Sequence, residues 1–188
     1  MTLLTPQVPT ISNPVLLDKE IQRMQLKLAT DISWLQYSFG RAYRQKKMND
    51  TTEVEFPEVY QGKDFDYLNV MPHDYWDAIS FWYPTSAERI MKNTKHEYSR
   101  SVALIMFIDL KKISVLKSYV FTEELKVEVM ASLEGVGGLM YNSEVNGYTD
   151  VPNDVYAEFS TDYIKPEYYN KRFAFMRFDI TLNYPRVC

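Results

Sequence analysis

The sequence contains few of the residues on which disulfide, metal and nucleophilic chemistry depend. Its single cysteine, Cys188, is the last of 188 residues, which excludes an intramolecular disulfide and a cysteine-based metal site. There are only two histidines, His73 and His96, and no Gly-x-Ser-x-Gly motif that would present a nucleophile. We therefore expect a protein that is not an enzyme and that carries no metal or other cofactor.

Long hydrophobic runs are also missing. The longest apolar run extends from Val102 to Ile108, far short of the roughly 18 residues that a membrane-spanning helix needs. The first ten residues, MTLLTPQVPT, lack the basic and apolar regions of a secretory signal. We expect no membrane contact and synthesis in the cytoplasm.

Aromatic residues, by contrast, are abundant. They make up 15% of the chain, with 15 Tyr, 10 Phe and 3 Trp, whereas the net charge is a modest −4. Tyrosine suits surfaces that are half buried and half wet, so this composition favours a binding or assembly protein. The length fits a single domain with a sizeable core.

The N-terminal part of the chain predicts an arm followed by a helix. Residues 1–13 contain two prolines and no hydrophobic periodicity, so they read as an arm. Asn13 and Pro14 then suit the N-cap and the first position of a helix over residues 14–29. The apolar stripe of this helix consists of Leu17, Ile21, Met24 and Leu28.

A strand with two different faces is predicted over residues 34–44. Small residues, Gly40 and Ala42 among them, alternate with larger ones, which predicts that another backbone or helix approaches the small face closely. The residues predicted to share the opposite face are Leu35, Tyr37, Phe39, Arg41 and Tyr43.

Later segments complete the predicted elements. Short strands are expected at 65–71 and 79–83, and an apolar strand covered on both faces at 101–110. A helix is expected at 123–134. In strand 174–184 the even positions are apolar and polar residues such as Arg177 and Asp179 fill odd positions, which predicts one buried face.

We predict a single α+β domain over residues 14–188, with an antiparallel or mixed sheet and two main helices. Asn146-Gly147 is a strong signal for a type I′ turn, since both residues tolerate positive φ. It predicts a projecting β-hairpin over residues 139–151.

Charges of opposite sign cluster in two neighbouring segments. Pro57 lies in the second of them and predicts an edge strand there. The predicted basic patch consists of Arg41, Arg44, Lys46 and Lys47. The predicted acidic edge consists of Glu53, Glu55, Glu58, Asp64 and Asp66.

The two charged segments have three interpretations. They suit a head-to-tail contact between identical subunits, because the patch on one copy meets the edge on the next. The basic patch could instead contact nucleic-acid phosphates, or it could be a solvated strand end. Asp64 and Asp66 lack a third ligand for a divalent cation, so a solvated acidic edge is the better interpretation of that pair.

The order of these elements resembles a family of small ring proteins in bacteriophage necks and tails. The closest classes are the tail terminator or tail completion proteins and the portal-to-tail connector rings. The resemblance covers residues 14–184 as a pattern without a diagnostic motif. The segments that carry it are helix 14–29, SFGRAYR, EFPEVYQG, DYLNVMP, strand 101–110, helix 123–134 and RFAFMRFDITLNY.

This resemblance implies a structural virion protein. Such a subunit would form a homo-oligomeric ring of six or twelve copies that joins portal to tail around the DNA channel. Its neighbours would be portal, connector or tail proteins, and Arg41, Arg44, Lys46 and Lys47 would face the lumen and contact DNA without sequence specificity.

An aromatic-rich carbohydrate-binding module is the alternative. Exposed aromatic rings serve such modules as stacking platforms, and this alternative predicts a monomer. The tyrosines considered for that role are Tyr156, Tyr163, Tyr168 and Tyr169, which would equally suit docking onto a neighbouring chain.

Overall fold

The computed structural model describes residues 5–49, 51–61, 66–91, 97–113, 121–134 and 143–185. These residues form one α+β domain with four α-helices and an eight-stranded mixed sheet, which confirms the predicted fold class. The helices are α1 (Leu16–Asp31), α2 (Leu110–Ile113), α3 (Thr122–Glu134) and α4 (Pro152–Val155). The strands are β1 (Tyr37–Asn49), β2 (Thr52–Tyr60), β3 (Tyr67–Asn69), β4 (Ala78–Pro84), β5 (Arg89–Met91), β6 (Glu97–Asp109), β7 (Glu144–Thr149) and β8 (Phe173–Pro185).

The sheet has the strand order β3-β2-β1-β4-β6-β8-β7, and β5 pairs with the first residues of β6. The pairing of β1 with β4 is parallel, and the other pairings are antiparallel. β6 and β8 pair along their whole length and form the centre of the domain.

A hydrophobic core lies on each face of the sheet. On one face, α1 and α3 pack against the even positions of β8, which confirms the alternation predicted for that strand. The other face is rich in aromatic residues and is covered by α4 and the segment up to Tyr168. β6 is buried between the two cores from Val102 to Asp109, as its apolar sequence predicts.

The polar face of β8 is more buried than the alternation predicts. Arg177 is only 8% exposed, and both of its terminal nitrogens lie 2.7 Å from carboxylate oxygens of Glu158. Its Nε also donates to Asp179, two residues along the same strand, at 2.8 Å. These charges therefore pair within the chain.

Helix α1 is confirmed, but its predicted cap is wrong. The helix begins at Leu16 with Val15 at the N-cap, and no side chain caps it. Asn13 (φ 52°) and Leu16 (φ 49°) both have left-handed backbone. The reason is that the chain reverses direction here, since the arm before it lies back along α1 and Ile11 N donates to the Gln22 side chain.

Strand β1 contains a bulge that changes which residues share a face. Its register against β4 shifts between Ser38 and Arg41. Phe39 packs into the aromatic core, whereas Arg41 pairs with Asp18 of α1 on the opposite face. Leu35, before the strand, also packs on the α1 side of the sheet, opposite to Phe39. The prediction that the large residues from Leu35 to Tyr43 share one face is therefore wrong at both ends and holds only for Tyr37 and Phe39.

The close approach predicted at Gly40 is confirmed. A Cβ placed there would lie 3.3 Å from Oε1 of Gln25, a side chain of α1. Ala42 lies on the other side of the bulge and packs against Val59 in the aromatic core. The glycine thus lets the helix approach the strand.

The hairpin predicted at Asn146-Gly147 is wrong. Both residues lie inside β7, which pairs with β8, and the register shift between Val145 and Gly147 accommodates Asn146. Nδ2 of Asn146 donates to Oγ1 of Thr181 at 2.6 Å. Pairing along β8 therefore overrides the local turn preference. Residues 139–142 of the hairpin predicted over 139–151 lie outside the described residues.

The strand around Pro57 is confirmed, but β2 is not a simple edge strand. The short strand β3 pairs with Glu58, Val59 and Tyr60 only. Pro57 is buried immediately before this paired stretch, and its carbonyl accepts a hydrogen bond from Val70 N. Its missing N–H therefore removes no bond from the β2–β3 ladder.

Candidate functional site

The feature that projects from the domain is a hairpin made by β1 and β2. β1 pairs with β4 only from Tyr37 to Arg41, whereas residues 42–49 pair with β2. We call residues 44–49 and 51–55 the hairpin arm. Its side chains from Arg44 to Met48 are exposed, and Met48 is 60% exposed.

The hairpin arm brings the predicted basic patch and acidic edge together in one chain. The antiparallel register places Lys46 opposite Glu55. Lys46 Nζ lies 2.5 Å from a carboxylate oxygen of Glu53 and 3.1 Å from one of Glu55, while Arg44 lies 3.2 Å from Glu55. Hydrogen bonds to Glu53 and then Glu55 raise the pKa of Lys46. In the isolated chain these opposite charges pair with one another.

The other predicted charges have different surroundings. Arg41 pairs with Asp18 of α1 at 3.4 Å, and Lys47 and Glu58 line one shallow groove but form no ion pair within the described residues. Asp66 is exposed immediately before β3. Asp64 lies outside the described residues. Among the described charged residues of the hairpin arm, Lys47 is therefore the one without an ion-pair partner.

A second surface, which sequence reasoning missed, lies beside the hairpin arm. It is a cleft of about 390 Å³ between α1 and the outer strands, and the N-terminal arm forms one of its walls. We call it the tyrosine cleft and define it by the polar and aromatic residues Asp18, Arg41, Tyr43, Tyr60 and Tyr67. These residues come from α1, β1, β2 and β3, so no local motif reveals them.

The aromatic rings of the tyrosine cleft contact one another edge-on or at a tilt. Tyr67 lies with its ring centroid 6.0 Å from that of Tyr43 and 5.9 Å from that of Tyr60. Tyr43 is 37% exposed and Tyr67 is 46% exposed, so both present ring surface to solvent. Burial, with a smaller contribution from Asp18, raises the pKa of the Tyr43 hydroxyl. The Tyr43 hydroxyl therefore stays protonated at neutral pH.

Arg41 supplies the positive charge of the cleft. Its guanidinium carbon lies 5.1 Å from the centroid of the Tyr43 ring, while its terminal nitrogen contacts Asp18. Its buried Nε has no hydrogen-bond partner among the described residues. The cleft thus combines ring faces with a charged donor and a carboxylate acceptor.

The four tyrosines that the sequence suggests as stacking platforms for a sugar do not form one exposed surface. Tyr156 and Tyr168 are buried in the aromatic core, whereas Tyr163 and Tyr169 are each 43% exposed. Two of the four are therefore structural, and the tyrosine cleft contains none of them.

One of the two histidines, His73, lies in the part of the chain that the structure describes. His73 is exposed, its ring packs on Tyr75 with centroids 4.1 Å apart, and its Nδ1 accepts a hydrogen bond from Tyr75 N. His96 lies outside the described residues. Within the described ranges no three His, Cys, Asp or Glu side chains cluster closely enough to hold a metal ion.

None of the helices in the described part of the chain is long and apolar enough to span a bilayer. No family model, no curated protein and no solved structure matched the chain. The hairpin arm and the tyrosine cleft are therefore the two surfaces from which we infer a function.

Proposed function

We propose that the chain is a structural subunit of a phage neck or tail ring, which joins portal to tail around the DNA channel, and that its hairpin arm contacts the next copy. The protein would then be a virion component without catalytic activity. The observation that carries the proposal is the projection of the hairpin arm beyond the rest of the sheet.

A two-stranded hairpin without further support is marginally stable in water. The base of the hairpin arm is anchored, because Ser160 N donates to Glu55 O and Glu55 N donates to Oγ of Ser160, each at 2.9 Å. Nearer the tip, the side chain of Lys46 forms ion pairs with Glu53 and Glu55 at the surface, and such pairs contribute little to stability. The exposed Met48 adds apolar surface at the tip. A neighbouring chain that covers this arm would bury the apolar surface of Met48 and so stabilise the hairpin.

The opposite end of the sheet provides a second contact surface. β7 pairs with β8 on one side, and its other side has no strand partner among the described residues. An open edge of this kind accepts a strand from another chain. A contact between different surfaces at the two ends of a sheet is heterologous, and such contacts build rings when the rotation closes.

The ion pairs within the hairpin arm change the role expected for the basic patch. Because Arg44 and Lys46 are neutralised by Glu53 and Glu55, the proposal assigns the hairpin arm to protein contact and not to DNA in the lumen.

The test is to shorten the hairpin arm. Replacing residues 46–55 by Asn-Gly joins Gln45 to Phe56, its partner across the ladder, through a two-residue turn. We expect the wild type to sediment as a ring with six or twelve copies and the shortened chain to sediment as a folded monomer. The matched control is Ile90→Ser, which removes a 70% exposed apolar side chain from β5 and should leave the ring intact.

A wild type that remains monomeric at high concentration would overturn the proposal, and so would a ring that survives loss of the arm. Circular dichroism of the shortened chain shows whether the domain is still folded. Recovery of the protein with portal or tail proteins in particle-sized fractions from its native source would support the virion assignment. Recovery only as a free small species would oppose it.

The tyrosine cleft favours the second candidate, a carbohydrate-binding module. Solvent-facing rings of Tyr43 and Tyr67 beside Asp18 and Arg41 match the mixture of stacking and hydrogen bonding that sugar recognition uses. None of the three tryptophans, Trp34, Trp76 and Trp82, lines the cleft, so tryptophan fluorescence is a poor probe there and titration calorimetry is preferable.

This candidate predicts that a glycan selected on an array binds the monomer. Tyr67→Ala should weaken that binding by about tenfold, which corresponds to about 1.4 kcal/mol of lost stacking and packing. Tyr163→Ala, which removes a tyrosine of similar exposure elsewhere, is the matched control. Equal affinities in the two variants, or no glycan bound, would remove this candidate.

A further inference from the structure

The N-terminal arm, residues 5–12, docks on its own chain by backbone hydrogen bonds. Gln7 N donates to Gln36 O, and Ser38 N donates to Gln7 O, each at 2.9 Å. This parallel bridge to Tyr37 lies at a point of β1 that β2 does not reach, because the β2 pairing begins at Ala42. The arm therefore completes the sheet beside β1.

Polar contacts also hold the rest of the arm. Nε2 of Gln25 donates to Pro9 O at 2.7 Å, and Ile11 N donates to Oε1 of Gln22 at 3.2 Å. None of the arm residues 5–12 belongs to the buried hydrophobic core. Four of them are half-buried against the domain, namely Pro6, Val8, Pro9 and Ile11. Release of the arm would therefore expose their covered surface and would also remove partners from Ser38 N and the buried Gln25 amide.

The hinge between this arm and α1 is strained. Asn13 (φ 52°) and Leu16 (φ 49°) both have left-handed backbone, which is disfavoured above all for a residue with a bulky side chain such as leucine. The strain arises where the chain turns back to lay the arm along α1. Short strained hinges favour the exchange of a segment between identical chains.

We propose that the N-terminal arm is exchanged between copies, so that residues 5–12 of one protomer dock beside β1 and α1 of the next. A second copy supplies the same extended backbone, so the bonds to Gln36, Ser38 and Gln25 are all retained. The hinge of the exchanged arm is then free to adopt an unstrained conformation. This inference rests on the proposed ring and names a second contact that holds it together.

The test is a disulfide between chains, made in a Cys188→Ser background. One chain carries Gln7→Cys and the other carries Tyr37→Cys, the position paired with Gln7 in the bridge. After co-expression and mild oxidation, arm exchange predicts a disulfide-linked dimer on a non-reducing gel. The matched control pairs Gln7→Cys with Val127→Cys on the exposed face of α3 and reports random collisions.

A linked dimer no more abundant than in the control pair would overturn the proposal. A chain that carries both Gln7→Cys and Tyr37→Cys is the reference for an arm that is not exchanged. In this chain an arm that stays on its own protomer forms an internal disulfide, and the chain migrates as a monomer. This double variant also shows that the loss of the Tyr37 side chain still allows the arm to dock.

A second comparison tests the strained hinge and leaves the surface on which the arm docks unchanged. Leu16→Gly and Leu16→Ala both remove the side chain, but only glycine adopts left-handed backbone without penalty. We expect about fivefold less linked dimer with Leu16→Gly than with Leu16→Ala, since the closed hinge is no longer strained. Equal yields would contradict the proposal.

Sedimentation of the same samples separates this inference from the proposed function. A ring without the linked dimer would overturn arm exchange and leave the ring proposal standing. A monomer without the linked dimer would overturn both. A linked dimer without a ring would support exchange and oppose the ring.

Discussion

Gln25 and Ser38 join helix α1 to strand β1 through a reciprocal pair of hydrogen bonds. Nε2 of Gln25 donates to the Ser38 carbonyl at 2.6 Å, and Oγ of Ser38 donates to the Gln25 carbonyl at 2.9 Å. The same amide nitrogen donates to Pro9 of the N-terminal arm. One buried glutamine therefore connects the arm, the helix and the sheet at the wall of the tyrosine cleft.

Replacing Gln25 by alanine should destabilise the protein measurably. The substitution leaves the carbonyls of Pro9 and Ser38 without this donor, and an unsatisfied buried polar group costs about 1–3 kcal/mol. We expect the free energy of unfolding in urea to fall by that amount. Gln22→Ala, which removes a less buried amide on the same helix, should cost less. A Gln25→Ala variant as stable as the Gln22→Ala variant would contradict this account.

Gly40→Ala should be more destabilising when Gln25 is present than when it is absent. The added Cβ would lie 3.3 Å from Oε1 of Gln25, whose amide is held by two hydrogen bonds and cannot move away freely. We expect a cost of about 1 kcal/mol in the wild type, and a smaller cost in the Gln25→Ala background. A double-mutant cycle of urea unfolding measures this coupling, and additive effects would contradict it.

Sequence patterns predict an element well where packing buries a regular set of its positions, which is one stripe of α1, one face of β8 and both faces of β6. The stripe of α1, the apolar run of β6 and the alternation of β8 all satisfy this condition, so their positions were predictable. The bulge between Ser38 and Arg41 was not, because a period of two assumes an unbroken pleat.

Long-range pairing also explains why the candidate surfaces were only partly predictable. Asn146-Gly147 has strong local turn preference, yet β8 draws both residues into a strand. The charged residues of the hairpin arm were identified from their clustering. That they form ion pairs with one another within one chain depends on the β1–β2 register. The tyrosine cleft needs four elements to meet, which no single segment encodes.

Asp31 should make stability depend on acidic pH. The hydrogen bond from Lys27, with another from Ser132 of α3, holds the pKa of Asp31 below its ordinary value of 3.8, although partial burial opposes the shift. A carboxyl group with a lowered pKa stabilises the fold above the unfolded-state pKa, and this contribution is lost as pH falls through the folded-state value.

We therefore expect Asp31→Asn to lower the melting temperature at pH 7, and the difference from wild type to shrink as pH falls below 3.8. Scanning calorimetry from about pH 2.5 to about pH 7 measures this difference. Asp162→Asn, at an exposed position away from the α1–α3 contact, is the matched control and should track the wild type. A difference that does not vary with pH would contradict the assignment.

Charge exchange on the hairpin arm distinguishes pairing within a chain from pairing between chains. Arg44→Glu and Glu55→Arg each place like charges together on the ladder, whereas the two substitutions in one chain restore an opposite pair. We expect each single variant to assemble less well than the double variant in sedimentation velocity. Because the pair lies within one chain, an equimolar mixture of the two single variants should assemble no better than either alone. Assembly restored by mixing would mean that Arg44 and Glu55 pair between copies, contrary to the cis contact at 3.2 Å.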